Sequence, residues 1–149
     1  MVRARTFLLL IPLLLCGCGD EIGPQLEWEE QIGLHFEDGY LATTLGGTLV
    51  DVWAGGQVVG DPLVIQPGVP TEVVATFHDA ASNLVMGLEE YVLVVSPANP
   101  SLLRFTATGP FEGTLTRLAP GTTTLQLGLR NTERQLQDFG PFPVPVTVR

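Results

Sequence analysis

The chain has 149 residues, 45% of them hydrophobic and 15% charged, with sixteen acidic residues against seven arginines and no lysine. Its length suits one domain with a proper core and leaves no room for a second. A formal charge of −9 with so few cations argues against a nucleic-acid partner, because phosphate contacts need clustered Lys and Arg.

The chain opens with Arg3 and Arg5, an apolar run from Phe7 to Leu15, and then Leu15-Cys16-Gly17-Cys18. That order reads as a secretory signal. The run is too short for a permanent membrane helix, which needs about 20 apolar residues. Its end resembles the bacterial lipoprotein box: an aliphatic residue, two small ones, then the cysteine that takes the lipid. The resemblance implies cleavage between Gly17 and Cys18, lipid on Cys18 and a place in the bacterial cell envelope. Gly19 after the cysteine resembles outer-membrane sorting. Cys16 then leaves with residues 1–17 and Cys18 becomes a thioether, so stability must come from a hydrophobic core without a disulfide. Losing Arg3 and Arg5 leaves five arginines against sixteen acids, a formal charge of −11. Such a surface offers anionic headgroups no attraction, so the lipid is the expected membrane partner contact.

Residues 18–30 are polar and acidic and read as a tether. Residues 31–149 read as a single all-β domain, because Gly and Pro interrupt the chain every ten residues or so and no 3.6-residue period is sustained. Ile32, Leu34 and Phe36 alternate with polar residues up to Asp38-Gly39, a favoured type I′ pair. That predicts a hairpin of 31–37 with 40–45, in which Phe36 faces Leu41. Turns are expected at Gly46-Gly47 and Gly55-Gly56, with a strand between them from Thr48 to Ala54. There Leu49, Asp51 and Trp53 share one face, and Val50, Val52 and Ala54 the other.

Leu63 to Gln66 and Thr71 to His78 are the next expected strands, followed by a loop at Asp79 to Asn83. The wholly apolar run Tyr91 to Val95 predicts a central strand covered on both sides. Leu103, Phe105 and Ala107 are expected to point inward, as are Thr123, Leu125, Leu127 and Leu129 from a long strand. Residues 131–138 read as a polar loop. In the last strand Phe142, Val144, Val146 and Val148 face in. Pro143 and Pro145 lack N–H groups on one side, which predicts an edge strand resistant to edge-to-edge aggregation.

Two segments, HDAASNLVMGLEEYVLVVSPANPSLLRFTATG and GTLTRLAPGTTTLQLGL, give residues 61–149 a family resemblance. They resemble a bacterial immunoglobulin-like domain of the group 2 type, most specifically at Leu118-Ala119-Pro120-Gly121-Thr122. Val95 departs from the pattern, which usually has an aromatic there, often Trp. The resemblance implies an immunoglobulin-like antiparallel β-sandwich outside the cytoplasm, and roles in adhesion, spacing and protein or glycan contact. Residues 31–60 fall outside it and are expected to add strands or a partial sandwich of their own.

No nucleophile elbow, phosphate loop or CxxC occurs, and the serines after residue 18 (Ser82, Ser96 and Ser101) all fall in expected turns. The chain therefore reads as non-enzymatic and without a cofactor, a binding or scaffolding module of the envelope. Partners would meet its edge strands or the loops around 79–90 and 130–139. The alternative is a cation-binding protein. His35 and Glu37 lie two apart on an expected strand and so share a face, and His78 and Asp79 end another. Asp79, Glu89 and Glu90 are further oxygen ligands to consider for calcium. Trp28, Trp53 and Tyr40 are the aromatics able to stack on a sugar or pack on a partner, with Trp53 set either outward beside Asp51 or over the core.

Overall fold

Period-2 alternation of apolar and polar residues dominates the chain, and each alternating stretch folds as a strand. The computed structural model describes residues 36–68 and 70–149. Ten strands follow in order: β1 (Tyr40–Leu45), β2 (Thr48–Trp53), β3 (Val58–Gly60), β4 (Leu63–Ile65), β5 (Thr71–His78), β6 (Tyr91–Pro97), β7 (Leu103–Gly109), β8 (Glu112–Arg117), β9 (Gly121–Asn131) and β10 (Gln137–Val148). They form a six-stranded sheet, β3-β2-β1-β5-β8-β7, and a four-stranded sheet, β4-β10-β9-β6. All pairings are antiparallel except β4 with β10.

The expected antiparallel β-sandwich is therefore present. Lettered A to G from β4, the last seven strands put B, E and D in one sheet and G, F and C in the other, which is immunoglobulin strand order. Strand A lies on G instead of B. The vacated place beside B is filled by β1, so the N-terminal meander widens one sheet and is not a second sandwich.

Both inner faces are apolar. Leu41, Leu45, Val50, Val52, Val73, Phe77, Leu103 and Leu115 come from the larger sheet. Ile65, Leu93, Leu125, Leu127, Leu129 and Val146 meet them from the smaller one. Burial of this kind supplies about 25 cal/mol per Å² of apolar surface. One end of the interface is closed by rings: Phe36 lies 5.0 Å from Phe77, 5.1 Å from Tyr91 and 6.4 Å from Phe139, centroid to centroid. Phe36 thus bridges the two sheets.

The Gly46-Gly47 turn forms as expected, with φ of +57° and +88°, the double positive φ of a type I′ turn. Gly128 is needed for a different reason. A Cβ there would run into the Phe139 carbonyl, where the register of β10 against β9 shifts between Gln137 and Phe142.

Several expectations are corrected. No hairpin forms across Asp38-Gly39: Phe36–Asp38 is a helical turn, and Phe36 is buried in the core. Strand β1 pairs along its full length with β2 on one side and β5 on the other, so neither edge is open to residues 31–37. Strand β6 is an edge and not central, and Val92 and Val94 on its outer face are only half-buried. The Pro110 carbonyl accepts from Leu93 N at 2.6 Å on that free side, and Pro97 has no N–H to offer there. Ala107 is exposed. Strand β10 is not an edge. Strand β4 pairs with it, but only at Val146, Thr147 and Val148, beyond Pro141, Pro143 and Pro145.

One polar group is stranded inside. Thr43 is fully buried in β1 and its Oγ1 has no hydrogen-bond partner. An unsatisfied buried hydroxyl costs about 1–3 kcal/mol. Thr43→Val should therefore raise the denaturant midpoint, by roughly 1 kcal/mol of stability. Phe36→Ala should lower it by about 3–5 kcal/mol through the cavity left between the sheets. Chemical denaturation of both variants checks the pair, and a destabilised Thr43→Val would contradict the assignment.

Candidate functional site

The distinctive surface lies on the outer face of the six-stranded sheet, over β2, β1 and β5. Alternation sends Val50 and Val52 inward and leaves Leu49, Asp51 and Trp53 outside. The registers Tyr40↔Trp53 and Tyr40↔His78 place three aromatic rings in one cross-strand row. Tyr40 stacks on Trp53 at 4.4 Å with 29° between planes, and on His78 at 5.2 Å with 12°. Rings stacked at about the strand spacing of 4.8 Å cover one another's faces and turn their edges outward. Tyr40 in the middle is therefore no open platform for a sugar. Trp53 is half-buried on this outer face and does not cover the core.

The next row along is Asp51↔Ala42↔Thr76. Ala42 is the smallest side chain in it and lies between Asp51 and Thr76. Thr76 Oγ1 lies 3.0 Å from His78 Nε2, and His78 Nδ1 lies 3.4 Å from the Ser82 carbonyl oxygen. A proton on Nδ1, donated to that carbonyl, leaves Nε2 to accept from Thr76 and fits both contacts. The third row is Leu49↔Thr44↔Val74. Leu49 is 55% exposed and Val74 48%, and Val59, opposite Asp51 on β3, is 46% exposed. Beside this row lies a shallow, open depression lined by Thr44, Gly46, Gly47, Pro70, Glu72 and Val74.

Asp51 is the electrostatic oddity of this face. Its Oδ1 is enclosed and has no hydrogen-bond donor. Burial pushes its carboxyl above the ordinary carboxylate value, by more than a protonated His78 would pull it down.

A second polar cluster holds the loop between β9 and β10. Tyr91 Oη donates to Asp138 Oδ2 at 3.0 Å, and Arg134 Nη2 donates to the same oxygen at 2.9 Å and to Tyr91 Oη at 3.1 Å. Burial comes first among the causes that raise the Tyr91 phenol above its usual range. Asn131 Oδ1 accepts from Glu133 N and Arg134 N, so the 131–136 segment is a braced turn.

The residues expected to bind a cation are placed as follows. His35 lies outside the described residues, as does the expected lipidation site Cys18. Glu37 is exposed on the helical turn. Asp79 Oδ1 accepts from Ala81 N and Asn83 N, and Oδ2 from Asn83 Nδ2, so this carboxylate shapes its own loop. His78 is turned to Thr76, Ser82 and Tyr40. Among the described residues no group of three His, Cys, Asp or Glu side chains could hold a metal ion. Alternation placed Asp51 beside Trp53 on one face, as the sequence led one to expect, but the search for ligand spacing gave Asp51 no role.

No family model matches the chain, and no curated protein matches it. Among solved structures it is similar to one described as "Crystal structure of the S-layer protein SbsC domains 4 and 5", at 13% identity and a TM-score of 0.38. The match covers 74% of this chain and 76% of that one. A similarity this remote transfers nothing from that protein to this chain.

A carboxyl that holds its proton more tightly folded than unfolded makes the native state lose stability as pH rises through that window. Asp51→Asn should therefore melt higher than the wild type at pH 7. The gain should vanish as pH falls below about 4, where a carboxyl is protonated in both states. Thermal melts of the two proteins from pH 3 to 8 check this, and a pH-independent difference would refute it.

Proposed function

We propose that the chain is a non-enzymatic envelope lipoprotein, anchored through Cys18, whose sandwich is a binding or scaffolding module. The observation that carries this reading is the outer face of β2, β1 and β5. It exposes Leu49, Val59 and Val74 beside the half-buried Trp53, Tyr40 and His78. Apolar and aromatic side chains grouped on one solvent-facing sheet mark a contact surface, whereas scattered ones do not. The anchor rests on the lipoprotein-box resemblance, and the absence of catalysis on the lack of any catalytic motif in the sequence.

The group 2 immunoglobulin-like assignment belongs to the same proposal. Strand order supports an immunoglobulin-like architecture, and the Leu118–Thr122 turn carries the finer resemblance. In such a module the loops and sheet faces do the binding, on a scaffold held rigid by its core.

The test places a photo-crosslinking residue at Leu49 in one variant and at Arg130 in another. Arg130 is exposed on the outer face of the smaller sheet. In intact cells producing the full chain, position 49 should give a discrete cross-linked product and position 130 none. Cys18→Ala should move the protein from the detergent phase to the aqueous phase on detergent partitioning. Equal products at both positions would overturn the binding-face reading. Unchanged partitioning would overturn the anchor.

A further inference from the structure

We propose that β7 is the edge through which two copies of this chain pair, antiparallel about a two-fold axis at Thr106, so that their six-stranded sheets join edge to edge. This contact leaves the face around Leu49 free, because β7 and β2 lie toward opposite margins of the sheet.

The ladder shows which backbone groups remain open. Leu118 N donates to Leu102 O at 2.8 Å, in line with the register Leu103↔Arg117. Opposed residues of an antiparallel pair alternate between bonded and non-bonded. Leu102, Arg104 and Thr106 therefore exchange bonds with β8, while Leu103, Phe105 and Ala107 turn their N–H and C=O groups outward. The other side of β8 agrees: Ala75 N donates to Phe111 O, which commits Phe111, Gly113 and Leu115 to β5. Leu103 is wholly buried, which leaves Phe105 and Ala107. Among the described residues nothing takes their outward groups. Nor does a side chain screen them. Thr106 and Ala107 are exposed, and the Phe105 ring lies back over Gly113 of β8, where a Cβ would come within 2.4 Å of it. The other margins are protected. Strands β3 and β4 have three residues each, β6 gives its Leu93 N–H to Pro110 and ends on Pro97, and the bare stretch of β10 carries prolines. Strand β7 has seven residues and no proline. An edge left open among guarded ones is a place for strand addition.

The occupant is a second copy because the open groups complement themselves. Antiparallel about Thr106, Phe105 pairs with the partner's Ala107 and Ala107 with the partner's Phe105, each pair exchanging both N–H···O=C bonds. No open group is left over, and the same patch serves both copies, as a two-fold contact requires. Thr106 then faces the partner's Thr106, a favourable cross-strand pair. The two Arg104 side chains lie about 13 Å apart along the strands. Charge selects the same edge. The chain carries a formal charge of −9, so most approaches of one copy to another are repulsive, but β7 has one arginine and no acid. The contact is small, so the dimer is weak and forms as concentration rises.

The test is sedimentation of the full chain in a density-matched mild detergent, at concentrations up to about 1 mM. The wild type should pass from one chain to two as concentration rises. Ala107→Pro removes an outward N–H and no ladder bond, and should raise the concentration for half-dimerisation by about ten-fold or more. Thr106→Lys sets two ammonium groups across the axis while keeping every backbone bond, and should raise it by about three-fold or more. The melting temperature of each variant should stay near the wild-type value. A cysteine reads the register, because Thr106 meets its own copy at a Cα separation of about 4.5 Å, within disulfide range. Under mild oxidation Thr106→Cys should give a cross-linked dimer in excess of wild type. Thr116→Cys, exposed one strand further in, should not. A wild type that stays a single chain at every concentration would overturn the proposal. So would a dimer unmoved by Thr106→Lys, since the copies would then meet elsewhere, and so would equal cross-linking at positions 106 and 116. If Ala107→Pro melts far below the wild type, Thr106→Lys decides alone.

Discussion

A strand has two hydrogen-bonding edges, and the use made of both edges of β1 determines most of this structure. One edge takes β2 and the other takes β5, each over six residues. That joins an N-terminal meander to an immunoglobulin-like unit in one continuous sheet. It displaces strand A onto β10 and leaves no edge for a strand at 31–37. It also creates the candidate site. Trp53, Tyr40 and His78 come from three strands and line up only because β1 stands between the other two.

The two faces of that sheet obey different rules. Inside, Leu41, Leu45, Val50, Val52, Val73 and Phe77 pack against the smaller sheet, and the buried hydroxyl of Thr43 is a local cost. Outside, Asp51 is a cost of another kind, a carboxylate partly removed from water with an oxygen left short of donors. Natural proteins hold such groups where function needs them, at the expense of stability. The stacked rings beside it are held rigid by cross-strand contact, so little conformational freedom remains to be lost when something docks on them.

Most of the sheet edges are guarded as well. Strand β6 ends on Pro97 and gives its Leu93 N–H to the Pro110 carbonyl. Strands β3 and β4 are three residues each. The prolines of β10 leave it without donors on one side until Val146, where β4 takes over. The bare stretch is thus the part that cannot donate. These devices guard those edges of the sandwich against pairing with another chain.

The strands were legible wherever a local pattern carried the information. Period-2 alternation located β2, β5, β9 and β10, and Gly46-Gly47 located a turn, because both depend on neighbours within a few residues; β1 was expected only as the return of a hairpin that does not form. Alternation also placed Asp51 and Trp53 on a common face. It could not say whether that face was covered, since coverage depends on the other sheet. Asp38-Gly39 read as a hairpin and is not one, because both edges of β1 were claimed by strands elsewhere in the chain. The apolar run at Tyr91–Val95 read as central, yet strand order is a property of pairings between distant segments. The sequence by itself determined most of the strands, the alternation of their faces and the Gly-Gly turns. Only the tertiary structure decided which strands are neighbours, and hence that a tryptophan, a tyrosine, a histidine and an aspartate meet on one surface, because side chains on different strands become adjacent only through long-range register.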